Sequence, residues 1–224
     1  MQRTIWIVLF LLALATVIVA EYLHNQNLIV ASKPLLMPLL GIHFLTHTKN
    51  AVSSLKPWII LALVFSWIGD VLLMFEAKHA NYFLFGLSSF FLAQVFYIIF
   101  FHNIRMREYI RGNALLLLIV VVYYYVLIFQ LNPYLGKLSL PVRIYGVVLS
   151  FMLMLAMHTT FSRQKTAGWL MTIGAILFVI SDSLLAIDKF YSALHYASVI
   201  IILTYGLAQL LITLGATRYI NDKL

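Results

Sequence analysis

Two aspartates stand inside long apolar stretches and are the residues best suited to chemistry. Asp70 lies within residues 68–73 (Ile-Gly-Asp-Val-Leu-Leu), and Asp182 lies within residues 180–185 (Ile-Ser-Asp-Ser-Leu-Leu). A carboxyl group that is buried, or that lies near a second carboxylate, keeps its proton to a higher pH, and a nearby cation opposes this. Two such aspartates could therefore divide the roles of proton donor and proton acceptor, as the two carboxyls of glycosidases do.

Each aspartate is preceded by a basic residue and followed by a glutamine, in the same order. Lys33 precedes Asp70 by 37 residues, and Arg143 precedes Asp182 by 39 residues. Each cation could pair with a carboxylate or bind the phosphate of a ligand. The glutamines, Gln94 and Gln209, each end a Leu-Ala-Gln triplet. We expect them to bridge helices by hydrogen bonds. Tyr145 and Tyr205 are predicted to line the same pocket.

The elements that position these residues must be membrane-spanning helices. The chain has 224 residues, of which 63% are hydrophobic and 10% charged, with a mean hydropathy of +0.99. A soluble domain would need more polar surface, and a helix of roughly 20 apolar residues crosses a bilayer. The sequence thus predicts an all-α polytopic membrane protein with about eight transmembrane helices. The apolar runs are 4–23, 28–46, 57–75, 81–101, 113–131, 141–160, 167–187 and 194–216.

The repeated order of basic residue, aspartate and glutamine predicts a duplication within this single membrane domain, 1–224. The first half would be residues 1–112 and the second half residues 113–224, each with four helices. Four spans return the chain to the same side, so the repeats would be parallel and related by an axis along the membrane normal. Such an axis could bring both aspartates into one central cavity.

Basic residues in the connecting segments predict the orientation. Ten lie on the side of the N-terminus, against Lys78, Lys137 and Lys189 on the other side. Cytoplasmic loops are enriched in lysine and arginine, so both termini should be cytoplasmic, with the protein in the cell (inner) membrane. The net charge of +8 is explained in this way, and no nucleic acid partner is expected. The first run could instead be a signal peptide. The ten basic residues are Arg3, Lys49, Lys56, Arg105, Arg107, Arg111, Arg163, Lys165, Arg218 and Lys223.

Metal and thiol chemistry find little support in the sequence. It contains no cysteine, which excludes thiol catalysis and cysteine-ligated metals. His43 and His158 match no metal-site spacing and are predicted to be structural. We therefore expect no metal and no organic cofactor.

Several short motifs, in order along nearly the whole chain, resemble the YhhN family, which includes the lysoplasmalogenases. One departure concerns Gln94, because members of the family often carry a histidine there, and glutamine cannot titrate near neutral pH. The matching elements are Lys33-Pro34, Gly69-Asp70 with Leu72-Leu73, Gly86 with the phenylalanine-rich run to Tyr97, Pro141 with Tyr145, Gly174-Ala175, Phe178, the run from Ser181 to Ala186, and Tyr205 with Ala208-Gln209.

The resemblance implies hydrolysis of the vinyl ether bond of a lysoplasmalogen. The products would be a fatty aldehyde and glycerophospho-ethanolamine or glycerophospho-choline. From the residues, we assign Asp182 as the general acid and Asp70 as its partner, with the reverse assignment left open, while Lys33 and Arg143 would bind the substrate phosphate. The partners would be the lysophospholipid substrate and the bilayer, with no obligate protein partner. Two alternatives remain, a small proton-coupled transporter and a structural membrane protein whose two aspartates form buried ion pairs with Lys33 and Arg143.

Overall fold

The structure, a computed structural model, describes residues 2–222 of the chain. It is all-α over these residues, and eight of its helical segments are long and apolar enough to cross a membrane. The predicted fold class and number of spans are thereby confirmed. Lys223, one of the ten basic residues counted on the N-terminal side, lies outside the described residues. The α-helices are α1 (Gln2–Tyr22), α2 (Gln26–Ser32), α3 (Leu36–His47), α4 (Lys56–Leu73), α5 (Ala80–Arg107), α6 (Ala114–Leu131), α7 (Ser139–His158), α8 (Lys165–Ala186) and α9 (Ala197–Asn221).

The second span is interrupted near the end that lies opposite to the N-terminal side, and it consists of α2 and α3 joined by a 3-10 turn, Lys33–Leu35. Pro34 lacks a backbone N–H and cannot continue the α-helical hydrogen bonding, so the helix breaks here. The indole Nε1 of Trp67 on α4 donates to the carbonyl oxygen of Pro34 at 2.9 Å. This bond satisfies a polar group that would be costly to leave unpaired in the membrane. The break also gives Lys33 its position.

The fifth span ends in a 3-10 turn, Asn132–Tyr134, and the sixth span begins with another, Gly136–Leu138, before it continues as α7. Pro141 lies in the first turn of α7, where the missing N–H would have no intrahelical partner in any case. The seventh span ends differently, because α8 continues into a π-helical segment, Ile187–Tyr191. These irregular ends all lie on one side of the membrane, opposite to the N-terminus.

Close packing of α8 against α9 depends on small residues. A methyl group added at Gly174 of α8 would lie 2.8 Å from the carbonyl oxygen of Ala208 and 2.9 Å from the backbone nitrogen of Ile212. A methyl group added at Gly215 of α9 would likewise lie 2.9 Å from the carbonyl oxygen of Ala167 on α8. Glycines at such positions let transmembrane helices approach closely and gain van der Waals contact. The α8–α9 pair therefore forms a rigid part of the scaffold.

Helix α6 lies at the periphery. It packs on α7 and touches the π-helical segment, and most of its side chains are exposed on the outside of the bundle. An all-apolar helix with this exposure is suited to face lipid. Helices α4, α5, α8 and α9 instead surround the two aspartates.

The packing of these helices agrees with the expected duplication, which stays a prediction. Helix α4 packs on α5 as α8 packs on α9. If Asp70 corresponds to Asp182 and Gln94 to Gln209, the two pairs are the third and fourth spans of each half. Hydrogen bonds also cross between the halves, since Tyr205 of α9 reaches Asp70 of α4.

Candidate active site

Asp182 is held by two side chains from different helices. The hydroxyl of Tyr145, on α7, donates a hydrogen bond to Asp182 Oδ2. Gln94 Nε2, on α5, lies 3.1 Å from the same oxygen and 2.7 Å from the tyrosine hydroxyl. Both Tyr145 and Gln94 are buried. Two helices, α5 and α7, thus fix one carboxylate oxygen of Asp182 on α8 by hydrogen bonds that it accepts.

Asp70 has a simpler partner on α9. The Tyr205 hydroxyl donates to Asp70 Oδ2 at 2.9 Å, and both side chains are buried. One helical turn further along α9, Gln209 donates from Nε2 to the Ser66 hydroxyl at 2.9 Å and accepts from the Tyr97 hydroxyl at 2.5 Å. The bridging that the sequence predicts for Gln209 and Gln94 is therefore present. These bonds tie α4, α5 and α9 together beneath the aspartates.

The second oxygen of each aspartate is available to a ligand. Among the described residues, Oδ1 of Asp70 and Oδ1 of Asp182 have no hydrogen-bond partner, and both side chains line one cavity. Because Oδ2 of Asp182 accepts two hydrogen bonds, a proton on this carboxyl would be carried by Oδ1. The geometry therefore presents each aspartate to a ligand through Oδ1.

Both aspartates line one cavity of about 310 Å³, which we call the aspartate cavity. It lies between the ends of the spans at the side opposite to the N-terminus. Of the seven acidic residues in the chain, five line this cavity, although the protein has a net charge of +8. The lining residues that carry charge are Glu21, Lys33, Asp70, Glu76, Asp182 and Asp188.

A second, narrow pocket of about 50 Å³ opens from the same place and is almost entirely apolar. We call it the apolar pocket; it is formed by side chains of α5, α6, α7 and α8, such as Leu87, Leu127 and Leu149. Asp182 lines both spaces, whereas Asp70 lines the aspartate cavity alone. Asp182 thus lies at the boundary between a polar and an apolar space.

Phe90 contributes to this boundary. It lines both spaces, and its ring meets those of Phe178 and Tyr205 edge to face, at centroid distances of 6.5 and 5.8 Å. A methyl group added at Gly69, next to Asp70, would lie 2.7 Å from this ring. The absence of a side chain at Gly69 therefore allows the Phe90 ring to pack beside Asp70.

Lys33 lines the aspartate cavity near its mouth but does not pair with either aspartate. Its Nζ lies 3.9 Å from Glu21 Oε1. The other ion pair among the described residues joins Lys189 and Glu76 at 3.4 Å. Neither aspartate forms an ion pair within 4.0 Å among the described residues, so the two ion pairs expected with Lys33 and Arg143 are not seen, and Lys33 pairs instead with a carboxylate of α1.

Arg143 lies outside the aspartate cavity. It is exposed in a separate groove, where its guanidinium donates to Asn132 Oδ1. The structure brings Lys33, Tyr205 and both aspartates together around the cavity, with Tyr145 and Gln94 behind Asp182, and leaves Arg143 apart. Three residues of the mouth, Glu21, Glu76 and Asp188, were missed. Their position at the ends of apolar runs, on the same side as Lys33, was the available signal.

The histidines singled out from sequence lie in different surroundings. His158 Nε2 accepts a hydrogen bond from the backbone N–H of Asn113 at 3.1 Å, and Nδ1 lies 2.7 Å from the carbonyl oxygen of Met154. This histidine ties the connection before α6 to the end of α7, which is the structural role expected of it. His43 is buried against the ring of His47 at 3.9 Å.

Comparison with known proteins assigns the chain to a family. A model of the YhhN family matches residues 28–216. A Homo sapiens protein named lysoplasmalogenase TMEM86B is 36% identical over 158 residues, 70% of this chain and 62% of that protein. For lysoplasmalogenase TMEM86A of Bos taurus the identity is 32% over 184 residues, which are 80% of this chain and 70% of that protein. A lysoplasmalogenase of Mycobacterium bovis is 31% identical over 163 residues, 71% and 60% of the two chains.

The chain thus spans less than two thirds of the length of the human and mycobacterial relatives. No solved structure gives a significant match. The matched range 28–216 contains both aspartates and every residue that holds them.

Proposed function

The chain belongs to the YhhN family, and we propose that it is a membrane hydrolase that cleaves the vinyl ether bond of lysoplasmalogens. The observation that carries the proposal is the position of Asp182 at the boundary between the aspartate cavity and the apolar pocket. A lysoplasmalogen has its vinyl ether at the same kind of boundary, between an apolar chain and a polar glycerol. The relatives named lysoplasmalogenase support the choice of substrate.

The substrate would lie with its alkenyl chain toward the apolar pocket and its glycerophosphate in the aspartate cavity. Lys33 is the cation of that cavity and would bind the phosphate. The carboxylates at the mouth, Glu21, Glu76 and Asp188, would favour the ammonium group of an ethanolamine or choline head group. The head group would compete with Lys33 for Glu21 and with Lys189 for Glu76.

The first chemical step would be a proton transfer from Asp182 to carbon. A vinyl ether is hydrolysed by protonation of its β-carbon, which belongs to the alkenyl chain and would lie on the apolar side. Asp182 lines that side and would deliver the proton from Oδ1. The resulting oxocarbenium ion would face two carboxylates, which stabilise its positive charge. The hydrogen bonds from Tyr145 and Gln94 would stabilise the carboxylate left on Asp182.

Water would then complete the reaction with Asp70 as the base. Asp70 takes a proton from water as the water oxygen bonds to the oxocarbenium carbon, which gives a hemiacetal. The hemiacetal breaks its bond to the glycerol oxygen: that oxygen receives the proton from Asp70, and the hemiacetal hydroxyl returns its proton to Asp182. A fatty aldehyde and the glycerophospho head group leave, and both aspartates regain their starting states. No group outside the chain is needed for this proton balance.

The test is aldehyde release from lysoplasmenyl-ethanolamine by the purified protein. Asp182→Asn and Asp70→Asn should each abolish turnover, because asparagine can neither donate nor accept the proton. Asp222→Asn is the matched control, since Asp222 is exposed at the far end of the chain. Retained turnover in both active-site variants would overturn the mechanism. Transport of lipid across vesicles without aldehyde would instead favour a carrier.

Substrate analogues test the site of protonation. The corresponding lysolipid with a saturated alkyl ether should not be cleaved, because it has no carbon that can be protonated in this way. In D₂O, the aldehyde trapped from the first turnovers should carry one deuterium on the carbon next to the carbonyl. Cleavage of the saturated ether, or aldehyde without deuterium, would contradict protonation at carbon.

A further inference from the structure

The groove around Arg143 is a space of its own near the outer end of the bundle. It has a volume of about 550 Å³ and is formed by the end of α6, the turn Asn132–Tyr134, the start of α7 and Tyr191. Four tyrosines line it, so we call it the tyrosine groove. It shares no lining residue with the aspartate cavity and meets the apolar pocket at Ile128. The four tyrosines are Tyr124, Tyr125, Tyr134 and Tyr191.

Arg143 is the only charged residue among the described residues that line the tyrosine groove. The ion pairs among residues 2–222 involve other cations, so no carboxylate compensates its charge. The guanidinium is held by Asn132 Oδ1 through one nitrogen. A guanidinium has five N–H donors in a planar fork, and those that remain match the oxygens of a phosphate. The groove therefore contains a cation in a fixed position that is suited to bind an anionic ligand.

The rest of the groove fits a lipid. Tyrosines are enriched where membrane helices pass through the interface, because their rings are apolar and their hydroxyls polar. Tyr134 and Tyr191 meet edge to face at 5.1 Å between ring centroids, and Tyr125 stacks on Phe129 at 6.0 Å. Below them, α6 exposes an apolar face that includes Val126. A phosphate at Arg143 would place the attached acyl chains along this face.

We infer that the tyrosine groove binds the phosphate of a bilayer phospholipid, with Arg143 as the anion-binding residue and the acyl chains against α6. This site is separate from the proposed catalytic cavity and does not depend on turnover. A lipid bound here would bridge α6, α7 and the π-helical segment. Without a lipid, α6 has few neighbours in the bundle. A ligand that binds only the folded state raises the unfolding temperature.

The experiment follows thermal unfolding of the detergent-purified protein as dioleoyl-phosphatidylglycerol is added. The unfolding temperature of the wild type should rise with lipid concentration. Arg143→Gln should need at least roughly ten times the lipid concentration for the same rise in unfolding temperature, because charge-assisted hydrogen bonds to the phosphate are lost. Lys137→Gln is the matched control, since Lys137 is an exposed cation of the neighbouring turn. It should respond as the wild type does.

Further arms separate this site from other anion or lipid effects. Asp182→Asn should respond to phosphatidylglycerol as the wild type does, which keeps the outcome independent of catalysis. Inorganic phosphate and dioleoylglycerol should each leave the unfolding temperature unchanged at matched concentrations. The inference is overturned if Arg143→Gln responds as the wild type does, or if phosphate alone or dioleoylglycerol alone reproduces the full effect.

Discussion

At the scale of single residues, the two aspartates differ in a way that their matching sequence contexts hide. Asp182 accepts hydrogen bonds from two side chains and borders an apolar space, whereas Asp70 accepts one and borders only the polar cavity. The first arrangement suits a group that gives a proton to a carbon atom and then carries a negative charge. The second arrangement suits a group that takes a proton from the attacking water. The proposed division of roles rests on this difference.

The hydroxyl of Tyr145 should matter for the rate rather than for binding. Tyr145→Phe removes a donor to Asp182 Oδ2, and a hydrogen bond to a charged group contributes about 1.5–3 kcal/mol. We therefore expect kcat to fall roughly 10- to 100-fold while KM changes little, since the bond strengthens as Asp182 loses its proton. Steady-state kinetics with lysoplasmenyl-ethanolamine measures both constants.

Tyr109→Phe is the matched control for this change, because Tyr109 is 90% exposed and lies between α5 and α6, outside the aspartate cavity and the tyrosine groove. Its kinetic constants should equal those of the wild type. An unaltered kcat in Tyr145→Phe, with the protein folded, would show that the tyrosine does not assist Asp182.

At the scale of elements, the site depends on helices that approach closely at some places and break at others. The α8–α9 contact holds Asp182 and Tyr205 in fixed relation, and its closeness depends on Gly174 and Gly215. The break at Lys33–Leu35 lets Lys33 line the aspartate cavity, and Trp67 compensates for the broken hydrogen bonding. Each device positions a proposed functional side chain by shaping the backbone that carries it.

A methyl group at Gly174 should loosen the α8–α9 pair. Gly174→Ala would bring Cβ within 2.8 Å of the Ala208 carbonyl oxygen, so one backbone must move. Overpacking of this kind costs about 1–3 kcal/mol of unfolding free energy. Reversible unfolding of the protein in detergent or bicelles measures the change.

Gly41→Ala on α3 is the control, because a methyl group there meets nothing within 4 Å. Alanine is a better helix former than glycine, so this variant should be neutral or up to about 1 kcal/mol more stable. Equal effects at the two positions would mean that the α8–α9 contact is not limited by close approach.

At the scale of the whole molecule, five of the seven acidic residues gather around one cavity at one side of the bundle. The basic residues of the connecting segments lie mainly on the opposite side, as the sequence indicates. If the basic side is cytoplasmic, the aspartate cavity opens on the outer side of the membrane. The substrate would then be taken from the outer leaflet.

Cysteine labelling can test this orientation, because the chain contains no cysteine of its own. Ser192 precedes α9 on the side of the cavity, and Asn50 lies between α3 and α4 on the other side; both are exposed. In intact cells, a membrane-impermeant maleimide should modify Ser192→Cys and leave Asn50→Cys unmodified until the membrane is permeabilised. The reverse labelling pattern would place the cavity on the cytoplasmic side.

The sequence by itself determined the number of spans, the position of each polar residue along its span and the family. These properties follow from position along a helix, since each residue advances an α-helix by about 1.5 Å and apolar runs mark the bilayer. Both aspartates lie near the C-terminal ends of their helices, α4 and α8. The sequence also named Tyr145, Tyr205, Gln94 and Gln209 as neighbours of the site.

Only the tertiary structure decided which side chains meet. In the structure Tyr145 hydrogen-bonds Asp182, and Tyr205 hydrogen-bonds Asp70. Lys33 forms an ion pair with Glu21, and Arg143 lies in a separate groove. Those contacts depend on how each helix is rotated about its axis. In a soluble protein the apolar stripe of a helix reveals that rotation. Lipid and protein interior are both apolar, so a membrane helix carries little such signal, and only the packed bundle shows which faces meet.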